Sequence, residues 1–211
     1  MAQGLLFAEA SPSDVLVYEG CLPDGLLFLP NFVSKSEERE IVAAIDGSGT
    51  SGWSSELRRR VQHFGYRYDY KSRGISDNDR IGDLPPWARE CSDRLVDEKY
   101  LAHPPDQVIV NEYQPGQGIS LHIDRDTCFG PVVASLSLCS DIVMNFESEA
   151  GKKGSALLKA RSMLVLSGDA RFSWKHGIAS RKRDRIGSFA FDRERRISLT
   201  FRTVLLFPQD K

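Results

Sequence analysis

Apolar residues recur with a helical spacing in the first half of the chain and with a strand-like spacing in the second half. A short apolar run at 26–29 is predicted to form a strand. The first predicted helix begins after Ser34, an N-cap with Glu37 at the capping-box position, and continues through apolar residues at 41–45. A second helix is predicted from Trp87 to Glu98, because a pair of prolines directly precedes it.

From Asp106 onward the chain consists of short apolar and β-branched runs that Gly, Pro, Asp and Ser separate. The predicted strands are Gln107–Tyr113, Ile119–Ile123, Val132–Leu138, Ile142–Phe146, Ala156–Lys159, Met163–Leu166 and Ile197–Leu206. Short strands with little helix between them are typical of an antiparallel sandwich or barrel. We therefore predict an α+β domain, with a double-stranded β-helix (jelly-roll) core and the two N-terminal helices packed on one outer face.

The length of 211 residues is that of one ordinary domain, so residues 1–211 are expected to fold as a single unit. Its expected parts are an N-terminal arm over about 1–25, a Gly- and Ser-rich loop over 47–57, and the core over about 106–206. No apolar run approaches the roughly 20 residues that cross a bilayer. The start of the chain lacks the pattern of a secretory signal, so a cytoplasmic protein without membrane contact is expected.

The cysteines indicate neither a disulfide framework nor a zinc site. Cys21, Cys91, Cys128 and Cys139 form no CxxC pair, and no histidine lies at a metal-binding spacing from them. Buried thiols are the prediction, since unpaired Cys is among the most often buried residue types.

Charge is unevenly distributed along the chain, although the formal net charge is only −1. Residues 151–211 hold more than half of the 28 Lys and Arg residues but only five of the 29 Asp and Glu residues. The density is greatest at 181–185. This segment is expected either to lie against nucleic-acid phosphates or to serve only as a solvated basic face.

The first candidate for chemistry is the pair His122 and Asp124 at the end of a predicted strand. Residues two apart on a strand project from the same face, so both side chains can reach one metal ion. With a remote histidine they would complete the two-His-one-carboxylate triad of non-haem iron(II) oxygenases. The remaining histidines are His63, His103 and His176, and each is equally consistent with a surface or core histidine.

The last predicted strand places two arginines and two hydroxyls on one face. Alternation puts Arg196, Ser198, Thr200 and Arg202 together, and Ile197, Leu199 and Phe201 on the opposite face. The two arginine Cα atoms are expected about 20 Å apart, so their guanidinium groups can approach the two ends of a short dicarboxylate. Asn111 and Tyr113 share a face of an earlier strand in the same way. A solvated edge strand is the alternative.

The ordered set Asn-x-Tyr, His-x-Asp, remote His and Arg-x5-Arg resembles the AlkB family of Fe(II)/2-oxoglutarate-dependent dioxygenases, from about Phe28 to Arg202. The phrases at 59–66, 115–119 and 135–138 are most similar to the AlkB domain of tRNA wobble-uridine hydroxylases. The resemblance implies Fe(II), 2-oxoglutarate and O2 as cofactor and cosubstrates. It implies iron ligation by His122, Asp124 and His176. It implies 2-oxoglutarate binding by Asn111, Tyr113, Arg196, Ser198 and Arg202, although bacterial AlkB has Asn at the position of Ser198.

In this family the segment before the sheet forms a nucleotide-recognition lid, which corresponds to about 50–80 here. The implied contacts with nucleic acid are Arg58, Arg59, Arg60, Tyr66 and Tyr68, together with Asp126. The implied partner is single-stranded DNA or RNA, or a base flipped from a duplex, bound by a monomer. Asp126 matches an acidic residue that touches the damaged base in bacterial AlkB. A carboxylate favours a cationic base such as 1-methyladenine.

Three classes of function follow. The first is oxidative removal of N-linked alkyl groups from bases, in which a hydroxylated N-methyl group leaves as formaldehyde. The second is stable hydroxylation of a tRNA base or a protein side chain at the same iron site. The third, a non-catalytic nucleic-acid binder, is disfavoured because the full set of metal and 2-oxoglutarate positions is present.

Overall fold

The computed structural model of the protein describes residues 15–48, 52–54, 57–72 and 74–206. The helices are α1 Lys35–Gly47, α2 Pro86–Asp97 and the short α3 Gly168–Phe172, with a 3-10 turn at Asp77–Asp79. The strands are β1 Tyr18–Gly20, β2 Leu26–Leu29, β3 Arg60–Phe64, β4 Gln107–Tyr113, β5 Ile119–His122, β6 Phe129–Leu138, β7 Ile142–Ser148, β8 Lys153–Leu158, β9 Met163–Leu166, β10 Trp174–Ile178, β11 Arg183–Ile186, β12 Phe189–Asp192 and β13 Arg196–Val204.

Both predicted helices are present. Ser34 caps α1 as a full capping box, because its Oγ accepts from the Glu37 backbone N–H at 3.2 Å and the Glu37 carboxylate accepts from the Ser34 N–H at 2.6 Å. Proline at the first position of α2 carries no N–H that would need a partner, so it starts the helix without cost. Arg94 of α2 forms an ion pair with Glu37, which ties the two helices together.

Apart from the separate pair β11–β12, the described strands form two antiparallel sheets that face each other, as the jelly-roll prediction requires. The larger has the order β2-β9-β6-β13-β4-β3 and the smaller the order β1-β8-β7-β10-β5. Helices α1 and α2 cover the outer face of the larger sheet, where Ile41 and Leu95 pack on Leu136 and Leu199. The prediction of helices on one outer face is confirmed.

Strand β13 shows how the sequence places the site. Its odd-numbered apolar residues, including Leu199, are wholly buried beneath the helices. Its even-numbered residues, Arg196, Ser198, Thr200 and Arg202, point between the sheets into a cavity. The period-two reading of this strand is therefore confirmed, and the alternative of a solvated edge is wrong because β4 and β6 flank β13 on both sides.

Several elements differ from the prediction. The segment 174–178 is strand β10, where no strand was predicted, because pairing with β7 and β5 outweighs the weak strand preference of its Lys and Gly. The basic segment at 181–185 contributes to a hairpin, β11–β12. Strand β3 lies within the segment predicted to form the lid, about 50–80, and β1 lies within the predicted arm and pairs with β8. The part of that arm over 1–14 is outside the described residues.

The thiol prediction holds for half of the cysteines. Cys91 and Cys128 are buried, whereas Cys21 and Cys139 are exposed because they lie in the connections that follow β1 and β6. Across the described ranges, no helix combines the length and apolar character needed to cross a bilayer.

Candidate functional site

A cavity of about 690 Å³ lies between the two sheets, and most of the predicted site residues line it. Strand β4 contributes Asn111 and Tyr113, and β13 contributes the four alternating polar residues. Strands β5 and β10, with the loop that follows β5, contribute the candidate metal ligands. Residues that lie far apart in sequence therefore meet here because the two sheets face each other.

His122, Asp124 and His176 come together at one wall of this cavity. His122 on β5 is the direct cross-strand partner of His176 on β10, and their ring centroids are 4.6 Å apart. Asp124 follows the end of β5, and its Oδ2 lies 3.6 Å from Nε2 of His176. One ligand atom from each residue lies within 4.8 Å of the other two, close enough to share one metal ion.

The protonation states of this cluster suit a cation. Burial lowers the pKa of His176 to about 4, so its imidazole is neutral near neutral pH. Burial on its own raises the pKa of Asp124, but the positive charge of Arg202 and the neighbouring histidines outweigh it and hold that pKa at about 2. A neutral imidazole and an ionised carboxylate are the forms that bind metal.

Two further features of the histidine rings bear on iron binding. Nδ1 of His122 lies 2.8 Å from the carbonyl oxygen of Ser120, which leaves Nε2 available to a metal. Nδ1 of His176 is buried and has no hydrogen-bond partner within the described part of the chain. Two imidazoles and one carboxylate form the donor set typical of non-haem Fe(II) sites with open positions.

Arg196 is a buried cation that lacks an acidic partner among the described residues. Its side chain is 1% exposed, and one Nη donates to the hydroxyl of Ser137 at 2.7 Å. Its Nε and other Nη find no acceptor in the described ranges. Burial lowers the pKa of Arg196 to about 10, so it stays charged near neutral pH. Unsatisfied donors on a buried guanidinium fit a carboxylate ligand, since such pairs form two parallel hydrogen bonds.

Arg202 occupies the metal-ligand end of the same strand face. Its Nη1 donates to Oδ1 of Asp124 at 2.7 Å, and its guanidinium stacks 3.9 Å from the ring centroid of Phe129. Its Nε is buried and has no partner within the described residues. Arg202 therefore orients the carboxylate of Asp124 and retains one buried donor without a partner in the described residues.

The neutral members of the predicted 2-oxoglutarate set lie beside these arginines. Tyr113 is paired with Arg196 across β4 and β13, with its ring centroid 5.4 Å from the guanidinium, and Asn111 is paired with Ser198 in the same register. The hydroxyl of Ser198 contacts that of Ser135 at 3.0 Å. Ser198 is shorter than the asparagine that bacterial AlkB has at this position, and its hydroxyl bonds to the neighbouring strand β6.

The predicted nucleic-acid contacts divide into two groups. Asp126, Tyr68 and Arg59 line the cavity, and Nε of Arg59 donates to the side-chain oxygen of Asn111 at 2.8 Å. Arg58, Arg60 and Tyr66 lie outside that lining.

Arg60 and Tyr66 are already engaged by neighbouring residues. Arg60 binds the buried Glu112 through two hydrogen bonds and lies over the ring of Trp53, so its charge is already paired. Tyr66 packs against a small core cluster that includes Phe129. Several residues of the predicted lid, 50, 51, 55, 56 and 73, are outside the described residues.

The sequence analysis gave no site role to several residues around the cavity, among them Tyr70, Phe172 and Arg171. Tyr70 lines it beside Tyr68, with ring centroids 5.1 Å apart. Phe172 lines it from α3, and the neighbouring Arg171 is buried behind the cavity wall. The alternation of tyrosines at 66, 68 and 70 could have indicated that Tyr70 lies beside Tyr68. No sequence pattern around Arg171 indicated that it is buried.

Comparison with known proteins agrees with this geometry. A family model described as the 2OG-Fe(II) oxygenase superfamily matches residues 25–202. The chain is 39% identical over 165 residues to the tRNA (carboxymethyluridine(34)-5-O)-methyltransferase alkbh8 of Xenopus tropicalis, covering 77% of this chain and 26% of that protein. It is 36% identical over 208 residues to the alkylated DNA repair protein ALKBH8 homolog of Arabidopsis thaliana, covering 87% of this chain and 59% of that protein. The chain thus spans less than two thirds of either relative.

A solved structure has the same fold as this chain. The solved structure of OsALKBH1 superposes with a TM-score of 0.66 at 20% identity, covering 87% of this chain and 98% of that one. The family match and the two relatives above 30% identity carry the assignment, and the superposition supports the fold. The chain therefore belongs to the AlkB family within the 2OG-Fe(II) oxygenase superfamily, and its cofactor and cosubstrates are Fe(II), 2-oxoglutarate and O2.

Proposed function

We propose that this oxygenase oxidatively dealkylates N-alkylated bases in DNA or RNA. The observation that carries the proposal is Asp126, an acidic side chain in the cavity lining two residues beyond the candidate metal ligand Asp124. A base alkylated on a ring nitrogen, such as 1-methyladenine, carries a positive charge. A nearby carboxylate stabilises that base over its neutral counterparts.

In this proposal His122, Asp124 and His176 hold the iron, and Arg196 with Asn111 and Tyr113 receives a carboxylate of 2-oxoglutarate. When bound, iron, 2-oxoglutarate and O2 would supply the oxidising chemistry: one oxygen atom of O2 would enter succinate as 2-oxoglutarate loses CO2, and the other would be inserted into a C–H bond of the alkyl group. The hydroxylated N-alkyl group then leaves as an aldehyde. The protein orients the reactants and excludes water from the cavity.

The target base enters from the side of the cavity lined by Tyr68 and Tyr70. Aromatic rings of this kind stack on an unpaired base without reading its sequence. Arg59 lines the same cavity and adds a positive charge that can attract the phosphate backbone. An unpaired or flipped base is required, because an alkyl group inside a duplex cannot reach the candidate metal ligands.

Hydroxylation of a tRNA base is the second candidate. The relative from Xenopus tropicalis is named for carboxymethyluridine at tRNA position 34, and the chain is 39% identical to the part of that protein it covers. A hydroxyl group on a carbon-linked substituent is stable and is not released. The two candidates therefore differ in whether an aldehyde is formed.

Anaerobically prepared protein loaded with Fe(II), then supplied with O2 and 2-oxoglutarate, tests both candidates. Succinate, formaldehyde and the digested nucleosides are measured with methylated single-stranded DNA, methylated RNA, unmodified tRNA or no substrate. Stoichiometric formaldehyde with a methylated oligonucleotide is the expected result. Succinate coupled to a hydroxylated tRNA nucleoside, without formaldehyde, would replace dealkylation with the second candidate.

A further inference from the structure

The loop that carries Asp124 and Asp126 is held from behind by one buried side chain, Arg171. Arg171 lies in α3 and is 2% exposed. Neither the metal triad nor the 2-oxoglutarate set includes it. Its guanidinium is directed away from the cavity, at the backbone of residues 124–130.

Within the described residues, the hydrogen bonds of this guanidinium all go to backbone carbonyls of that loop. Nη1 donates to the carbonyl of Asp124 at 2.6 Å, and Nε donates to that of Gly130 at 3.1 Å. Nη2 donates to the carbonyl of Phe129 at 3.1 Å and, more weakly, to that of Arg125 at 3.4 Å. One planar fork therefore fixes both ends of the turn between β5 and β6.

The same residue is joined to the other half of the candidate metal site. Helix α3 leads directly into β10, and His176 lies five residues beyond Arg171. Asp124 and His176 come from different parts of the chain, and Arg171 is the side chain in the described structure that hydrogen-bonds the Asp124 backbone from the segment leading to His176. The positions of the two ligands relative to each other therefore depend on this contact.

The chemistry of Arg171 argues for a role in the site. A buried guanidinium is costly when no carboxylate bonds to it directly, and within the described residues Arg171 donates to backbone carbonyls and to no carboxylate. Its nearest acidic neighbours, Asp124 and Asp126, act on it only through space. An apolar side chain of similar volume would fill the same space without the desolvation cost. The arginine, in contrast, holds several backbone carbonyl groups of the loop at 124–130 in fixed positions.

We infer that Arg171 is a positioning residue that holds Asp124 in place for the metal and Asp126 in place for the base. This inference rests on the proposed function for the role of Asp126, but its effect on the metal site can be measured without any nucleic acid. Loss of an outer contact that orients a metal ligand typically weakens metal binding about 10- to 100-fold.

The test uses the full chain with Arg171→Met and Arg171→Lys. Metal affinity is measured by titrating the metal-free protein with Mn(II) or Co(II), well below the thermal unfolding temperature. Arg171→Met is expected to bind the metal about 10- to 100-fold more weakly. Arg171→Lys should recover only part of that loss, because one ammonium group cannot reach both ends of the turn. In the oxygenase assay, both variants should release more succinate per modified base.

Arg193→Met is the matched control. Arg193 is also buried, and it donates to Asp184 and to the backbone carbonyls of Gln117 and Ala179, away from the loop at 124–130. Its loss should lower stability and leave metal affinity unchanged.

Three outcomes overturn the inference. They are a folded Arg171→Met protein with wild-type metal affinity, full recovery of affinity by lysine, and failure of both variants to fold. If metal affinity falls as expected but no nucleic acid is modified, only the proposed function fails.

Discussion

His122 and His176 lie directly opposite each other on the antiparallel strands β5 and β10, with their ring centroids 4.6 Å apart. Direct pairing fixes the separation of the two rings through backbone hydrogen bonds, so it does not depend on a flexible loop. Asp124 completes the cluster from the residues just after β5. The candidate metal site is therefore built largely into the smaller sheet.

The first prediction concerns the third ligand, which the sequence alone left open among three histidines. We expect His176→Ala to weaken Fe(II) or Co(II) binding by more than the roughly 10- to 100-fold that the loss of an outer-shell contact costs. His63→Ala and His103→Ala serve as controls. His63 is partly buried on β3 and His103 is exposed in a connection, so neither should change metal affinity. Equal affinity in His176→Ala would remove His176 from the site.

The second prediction concerns Arg196, whose guanidinium is buried without an acidic partner in the described residues. Charged hydrogen bonds contribute about 1.5–3 kcal/mol, so Arg196→Met should weaken 2-oxoglutarate binding roughly 10- to 150-fold while metal affinity stays unchanged. The measurement is calorimetric titration of 2-oxoglutarate into Mn(II)-loaded protein.

The neighbouring Arg195→Met is the control for Arg196. The side chain of Arg195 is directed to the opposite face, where it pairs with Glu112 and Asp46. Its loss should lower stability and leave 2-oxoglutarate affinity unchanged. Arg196→Met, in contrast, removes an unpaired buried charge, so without 2-oxoglutarate its free energy of unfolding should equal or exceed that of the wild type. A wild-type affinity in Arg196→Met would contradict the assignment.

The sequence predicted those parts of the fold that depend on local periodicity. Ser34 and Glu37 identified the start of α1, and the alternation along 196–202 placed two arginines on one buried face. Both signals work because they depend on residues a few positions apart. The wall of the candidate site that carries His176 was missed as a strand, since Trp174–Ile178 is held in the sheet by pairing with two strands that lie more than 25 residues earlier in the chain.

The predicted nucleic-acid contacts also depend on strand pairing that local sequence does not show. Arg58, Arg59 and Arg60 are consecutive and carry the same charge, so composition cannot separate them. The structure separates them by the strand pairing of β3 with β4, which places Arg60 opposite Glu112. Glu112 is 3% exposed and its carboxylate binds Arg60 tightly. Arg59 faces the cavity side of the same sheet.

A third prediction concerns pH and the capping box of α1. The hydrogen bond from the Ser34 backbone, with the pairing to Arg94, lowers the pKa of Glu37 from its usual 4.5 to about 2. A depressed pKa in the folded state means that the stabilisation is fully present above pH 4.5 and is lost as the pH falls toward 2. Since Glu37 is partly exposed, we expect an effect below about 1 kcal/mol.

Urea unfolding of the wild type and of Glu37→Gln measures this effect at several pH values. The wild type should be the more stable protein at pH 7, and the difference should shrink as the pH falls from 4.5 toward 2. Glu40→Gln, an exposed change on the same helix, is the control and should show no such convergence. A gap between wild type and Glu37→Gln that stays constant across the range would contradict the role of the charge.

The last prediction concerns Asp126 and the choice of substrate. If its carboxylate favours a cationic base, Asp126→Asn should lower kcat/KM for 1-methyladenine in an oligonucleotide and leave a neutral N-alkylated base nearly unaffected. Asp126 is exposed, so solvent screens its charge. The interaction is therefore worth at most about 1 kcal/mol, which corresponds to up to about a fivefold loss of preference. Asparagine has the same shape as aspartate, so the 2-oxoglutarate requirement and metal affinity should not move. The measurement compares kcat/KM for the two bases in one oligonucleotide sequence. An equal loss on both bases would mean that Asp126 supports the loop without reading the charge of the base, and the case for dealkylation over tRNA hydroxylation would lose its main support.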